Sequence, residues 1–359
     1  MTTNWTFDQN FITEVIKRGY TLLDDDKLPK SKRKSIQTDI ATFTRFQNED
    51  FDNKSGIIPR PPKNIEKLKN YILKRMQKQY NELGEELILW TMDLYFEKIF
   101  EIRGRCAQTQ LSIDEQSELT LENYSKNSKL FYKTAKSILS DEIIRQVQND
   151  PLLNTSSYCY YDEITGLPYL IIDNTQAPWI LNHETEHAVE EIKKISGTRY
   201  YSELGPILFE LLFNDTLYKN QGFLNKGDYS DRMVDTEETL TRLVRYFDVM
   251  LTFKHKNFQV PTDLFLREFS DVCDLDTEEG LRDFLREEIA PADIVDDMAY
   301  MYSYLKAIEL RERHNPNEDY SYAITPFVKA KKLNFTPSEK SFEIYRNFTK
   351  EMQEKTKQK

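Results

Sequence analysis

The sequence predicts a mostly α-helical protein with one small β-hairpin or sheet placed directly before its most informative helix. Three observations lead there. Apolar residues recur at helical spacing through long stretches of the chain. Glycine is scarce, with 10 residues in 359, and no Gly/Ser- or Pro-rich linker interrupts the sequence. The β-prone pattern is concentrated in residues 158–173. A chain of this length buries a sizeable core, and the expected layout is a helical N-terminal lobe over 1–150 packed as one compact unit with a second lobe over 151–359.

Residues 4–60 read as helix and loop, with a basic patch at 27–34 and a loop around Pro59, Pro61 and Pro62. Over 64–106, Leu68, Ile72, Met76, Tyr80, Leu87, Trp90, Leu94 and Ile99 keep helical spacing broken only at Gly84, which predicts one long helix or two in tandem. Leu121, Tyr124, Leu130, Ala135, Ile138, Ile143 and Ile144 extend the same behaviour over 119–147. Two β-prone runs then flank Thr165-Gly166, the signature of a hairpin. Asn174 and Thr175 suit an N-cap and Pro178 a first turn, so a helix is expected from there to Ser196-Gly197. A second helix over 202–218 would bury Leu204, Leu208, Leu211 and Leu212 and carry Glu203, Glu210 and Asn214 on one face. Further helices are expected over 229–255, 262–272, 277–288, 292–313 and 338–355, and there is no internal repeat.

The helix expected after the hairpin contains His183-Glu184-Thr185-Glu186-His187, an H-E-x-x-H pattern. Positions four apart lie one above the other on a helix, so His183 and His187 can present their imidazoles to one metal ion, with Glu184 beside its open position. Zinc held by three protein ligands keeps a water in its fourth site and lowers that water's pKa to about 7. A neighbouring carboxylate can take the proton and pass it to a leaving amine. Half of the four histidines fall in this one turn; the others, His255 and His314, sit in charged surroundings that read as surface. A helical projection places Leu181, Ala188, Val189, Ile192 and Ile195 on an apolar stripe and both histidines opposite it, with Glu190 and Lys194, so the histidines are expected outside the core. A third, anionic ligand would come from the next helix, where Glu203 and Glu210 are the candidates.

Composition narrows the functional classes. The net charge is −11 and no basic stripe with interleaved aromatics appears, which argues against nucleic acid as a partner. Cys106, Cys159 and Cys273 are scattered and odd in number, which does not make a disulfide framework. The start of the chain lacks a basic and apolar leader, and no run of about 18 apolar residues exists, so neither secretion nor a membrane span is expected and the expected compartment is the cytoplasm. The 21 Tyr and 21 Phe are expected mainly to pack between helices.

Residues 167–187, Leu-Pro-Tyr-Leu-Ile-Ile-Asp-Asn-Thr-Gln-Ala-Pro-Trp-Ile-Leu-Asn-His-Glu-Thr-Glu-His, followed by Ser196-Gly197-Thr198 and by Glu203-Leu-Gly-Pro-Ile-Leu-Phe-Glu210, resemble the catalytic core of the thimet oligopeptidase and oligoendopeptidase F family of zinc metallopeptidases. The likeness runs from about 160 to 310. It implies a zincin-like core with two helical lobes around a channel that excludes folded proteins, and one Zn2+ per chain bound by His183, His187 and Glu203. It also implies Glu184 as general base and then acid, Glu210 orienting a ligand histidine, and short or unfolded peptides as substrate. Tyr302 and Tyr304, on a tyrosine-rich helix, resemble family tyrosines whose hydroxyls hold the substrate carbonyl. The chain departs from the family in four ways. Glu186 replaces a glycine and would add a charge beside the site, the interval from His187 to Glu203 is shorter, which leaves Glu210 open as the ligand, acid near Asp297 replaces a tyrosine with no histidine shortly before that segment, and the chain is shorter. A dedicated processing peptidase for one leader or signalling peptide, or an inactive peptide-binding module, are the alternative functions.

Overall fold

The computed structural model describes residues 9–25, 27–47, 65–100, 109–140, 145–148, 157–173, 178–195, 201–273, 293–313, 318–329, 333, 335 and 338–355. Among them are thirteen helices and one small sheet, the mostly α architecture that the periodicity predicts. Helices α1 (Gln9–Leu23) and α2 (Lys30–Gln47) form an antiparallel pair, and the basic patch at 27–34 straddles the turn into α2. The tandem option holds next. Gly84, at φ 80, turns the chain between α3 (Ile65–Leu83) and α4 (Glu85–Phe96), a conformation glycine adopts without a Cβ clash. Helix α5 (Ile113–Asn127) opens on a capping box in which the Ser112 hydroxyl accepts from the Glu115 N–H and the Ser112 N–H donates to Glu115. Ser128, extended at φ −152, ends it, and the Ser128 hydroxyl then accepts the Phe131 N–H in the first turn of α6 (Lys129–Ser140).

Helix α6 is described to Ser140, Ile143 and Ile144 lie outside the described residues, and 145–148, expected in the helix, instead form β1 (Arg145–Gln148). Four residues, Arg-Gln-Val-Gln, carry no decisive period, and here pairing along β3 goes with the extended state. The hairpin forms as expected, with β2 (Tyr158–Asp162) antiparallel to β3 (Leu167–Asp173), and β1 lies parallel to β3 on its other side. In the hairpin turn the Asp162 carboxylate accepts the Ile164 and Thr165 N–H groups.

Strand alternation divides the packing. Tyr169 on β3 joins Ile164, Ile12, Val15, Ile36, Ile40 and Phe43 in a small core under α1 and α2, where the neighbouring Tyr160 hydroxyl donates to Asp39. Leu170 and Ile172 point the other way into the main core, and Cys159 packs against it. That core runs through both halves of the chain, from Ile72, Trp90 and Phe131 to Leu208, Phe247, Tyr304 and Tyr345. Many of the described aromatic residues serve it, as in the edge-to-face contact of Trp90 with Phe342 at 5.3 Å.

The helix carrying the H-E-x-x-H motif, α7 (Ile180–Lys193), begins two residues after Pro178, which was expected in its first turn, and ends before the glycine expected to cap it. Trp179 occupies its N-cap without a side-chain cap, and Lys194, left-handed at φ 54, closes it. Asn174, Thr175, Ser196 and Gly197 lie outside the described residues. Then follow α8 (Leu204–Gln221), α9 (Lys226–His255), α10 (Thr262–Cys273), α11 (Asp293–Arg313), α12 (Tyr320–Val328) and α13 (Glu339–Lys355). Helix α12 was not anticipated; Asp319 caps it by accepting the Ser321 N–H. The helix expected over 277–288, Cys106 and His314 lie outside the described residues, while His255 ends α9 and is exposed, as expected. Arg311 ties α8 to α11 and α13 by pairing with Asp215 at 2.9 Å and Glu351 at 2.7 Å. Among the described residues no helix is long and apolar enough to cross a membrane.

Candidate metal centre

Helix α7 is enclosed almost all round. Leu181, Ala188 and Val189 are fully buried, but so are Asn182, Thr185 and Glu186, and His183 is 4% exposed. This corrects the amphipathic reading, which set both histidines and Glu190 on an outer face with Lys194. Ile192, assigned to the apolar stripe, is 40% exposed, whereas Glu190 is buried. The reason is tertiary: β3, α5, α6 and α8 pack around the helix from different sides, and a single-helix projection cannot count neighbours.

The motif residues converge with a residue from α8. Glu203, at the N-cap of α8, places Oε2 3.3 Å from Nε2 of His183 and 3.3 Å from Nε2 of His187. The two imidazole rings stand 5.0 Å apart at 76°. One ligand atom from each of His183, His187 and Glu203 lies within 4.8 Å of the others, a group able to hold a metal ion. Glu210, two turns further along α8, is fully buried and reaches the opposite side of the same imidazole, its Oε2 3.5 Å from Nδ1 of His183. A carboxylate on that side would favour the proton on Nδ1 and turn the Nε2 lone pair toward Glu203. Of the two acids left open by spacing, Glu203 is the one grouped with both imidazoles, and Glu210 lies on the far side of His183.

The donor set fits a divalent cation. Oε2 of Glu203 faces both imidazoles without an aligned hydrogen bond to either, a buried acceptor in need of a positive partner. Burial by itself would lower the His183 pKa, but the adjacent Glu203 and Glu210 carboxylates and the charge of Glu184 outweigh it and raise the pKa to about 9. Burial likewise would raise Glu203, and the neighbouring His187 and His183 imidazoles hold it below the usual carboxylate range. In the metal-free chain a proton on His183 thus stands where the cation would. That proton stabilises the metal-free fold fully below the unfolded pKa of 6.5, and the stabilisation fades as pH rises through about 9. A metal must displace it, so apparent metal affinity is expected to rise by about tenfold per pH unit up to about pH 9 and then level off. Metal titrations across that range measure the slope, and a flat profile would contradict the protonated imidazole.

Glu184, 8% exposed, follows His183 in α7, and its charge acts both on His183 and on the Cys159 thiol of β2. Glu186, expected to add a charge beside the site, lies in the interior. It is fully buried and accepts a 2.6 Å hydrogen bond from the Tyr124 hydroxyl. Burial pushes its carboxyl well above the usual range, although the Tyr124 hydrogen bond pulls it down, and Glu190 beside it is raised by burial and by Glu186. Room for both acids comes from Gly205 on α8, where a Cβ would stand 2.1 Å from Glu190 Oε1 and 3.3 Å from Glu186 Oε1. The close helix contact that a glycine in the motif would provide is provided by a glycine on the facing helix.

Tyr302 and Tyr304 are placed in the core of α11, 0% and 1% exposed. The Tyr302 hydroxyl meets the Thr91 hydroxyl at 3.2 Å, and the Tyr304 ring packs edge-on to Phe100 and Phe348. The structure brings together His183, His187, Glu203 and Glu210, and it sets Tyr302 beside Thr91 and Phe335 and Tyr304 between Phe100 and Phe348. Tyr300, on the same helix, is the exposed one at 37%. Side chains that pack around α7 from α5, Asn123 and Tyr124, were not singled out as site residues, because Tyr124 reads as one more apolar position and Asn123 carries only the weak signal of a poor helix former in mid-helix.

The chain matches no protein-family model and no curated protein sequence. Among solved structures it is similar to a candidate peptidase from Chlamydophila abortus, at 10% sequence identity and a TM-score of 0.43, over 90% of this chain and 62% of that one. The chain therefore spans less than two thirds of that protein's length.

Proposed function

We propose that the chain is a zinc-dependent peptidase that hydrolyses short or unfolded peptides. The observation that carries this reading is the convergence of the His183 and His187 imidazoles with the Glu203 carboxylate, ligand atoms within 4.8 Å, with Glu184 in the same helix turn. Its sequence support is the resemblance of residues 167–210 to the oligopeptidase core. His183, His187 and Glu203 would hold the ion, and zinc so held supplies a Lewis acid for the peptide carbonyl and an activated water. Glu184 accepts the proton of the attacking water at its carboxylate and delivers it to the departing amine. Glu210 keeps the His183 ring in the orientation that presents Nε2.

The test is digestion of a mixed peptide library by zinc-quantified protein, with products read by mass spectrometry. Cleavage that stops on chelation and returns with zinc supports the reading and reveals length and side-chain preference. An intact library, with one zinc bound per chain, would remove the general peptidase.

A further inference from the structure

Helix α5 contributes no ligand, yet two adjacent residues of it reach the helices that do. Asn123, fully buried, donates from Nδ2 to Oδ1 of Asn182 at 3.0 Å and to the backbone carbonyl of Phe209 at 2.9 Å. Its own Oδ1 accepts from Asn127 at 2.7 Å, which fixes the amide so that its donors face α7 and α8. Tyr124, also fully buried, donates to Oε2 of Glu186 at 2.6 Å and stacks its ring on Phe209 at 4.7 Å and 24°. Asn182 immediately precedes His183, Glu186 immediately precedes His187, and Phe209 immediately precedes Glu210. Each of the three contacts is thus made one residue before a member of the candidate centre, two on α7 one turn apart and one on α8.

We propose that Asn123 and Tyr124 are positioning residues of this centre, holding α7 against α8 at the separation and rotation that bring His183, His187, Glu203 and Glu210 together. The inference rests on the metal reading above. Metal–ligand distances tolerate about 0.2 Å, so a slight roll or slide of α7 moves both imidazoles off the ion. The hydrophobic contacts of α7 with α8 permit such sliding, since apolar packing has no preferred direction along the helix. Hydrogen bonds do have one, and in a water-free interior there is no solvent to replace them. Two bonds spaced one turn apart on α7 oppose rotation as well as translation, and the bond to the Phe209 carbonyl carries the same reference point to α8.

The experiment compares Asn123→Ala and Tyr124→Phe with a control, Tyr345→Phe, which removes another buried tyrosine hydroxyl donating to a carboxylate, that of Glu309 at 3.0 Å. For each full-length protein, Tm, zinc affinity by competition with a chromophoric chelator, and the absorption spectrum of the cobalt-loaded form are measured. Asn123→Ala and Tyr124→Phe are expected to weaken zinc binding by about 10- to 100-fold and to alter the cobalt spectrum, while Tyr345→Phe lowers Tm and leaves affinity and spectrum unchanged. If Asn123→Ala does not fold, Tyr124→Phe, which keeps the stacked ring, decides alone. Unchanged affinity and spectrum in the α5 variants, or losses matched by the control, would reduce both residues to general stabilisers and overturn the proposal. No zinc uptake by the unmutated chain would instead overturn the metal reading, and this inference with it.

Discussion

Glu184→Gln is expected to retain its metal and lose peptide cleavage by about 10²- to 10⁴-fold, the range that positioned proton transfer contributes. Glutamine keeps the size of the side chain and its place in α7 but cannot accept the proton of an attacking water at neutral pH. The proposed ligands are three other side chains, His183, His187 and Glu203, so metal content should stay at that of the unmutated chain. Most of the loss should appear in kcat, because the missing interaction is made during proton transfer and not on binding. Metal analysis and steady-state kinetics on the same preparation separate the two quantities. Full activity in a zinc-loaded Glu184→Gln protein would end the assignment of Glu184 as base; loss of metal together with activity would make it a ligand instead.

Glu203→Gln and Glu210→Gln should differ in kind. Among the described residues Glu203 is the carboxylate that faces both Nε2 atoms, each at 3.3 Å, and replacing it by a neutral amide would remove the proposed anionic ligand and the charge that balances the cation. Zinc retention after dialysis is expected to fall to a small fraction of that in the unmutated chain. Glu210 touches only the Nδ1 side of His183, so its amide variant should bind zinc about 10- to 100-fold more weakly and still load at saturating metal. The reverse order of losses would show that the ligand position belongs to Glu210. A third pattern, equal loss in both, would mean that His183 cannot present Nε2 without its carboxylate partner.

Legibility in the sequence followed the range of the interactions. The hairpin at 158–173 was readable because alternation and a Thr-Gly turn are properties of neighbouring residues, and the α3–α4 break because one glycine makes it. The pairing of His183 with His187 was readable for the same reason, since one turn of helix sets it without help from the rest of the chain. Strand β1 was not, because four residues carry no decisive period and a parallel partner more than twenty positions later selects their state.

The sequence by itself determined the helical class, the hairpin before α7 and the residue types for a two-histidine, one-carboxylate site. Only the tertiary structure distinguishes the surroundings of Glu203 and Glu210, because both fit helical spacing and what differs is which nitrogen of one imidazole each approaches. Burial of His183, Glu186 and Glu190 was likewise decided by neighbours, α7 being wrapped by elements on several sides, where a projection of one helix foresees a single apolar stripe. The same holds for Asn123 and Tyr124, whose bonds reach 59, 62 and 86 positions along the chain. Contacts of that separation leave no period or motif in a single sequence; they exist because three helices meet in the interior, where buried donors and acceptors must find one another.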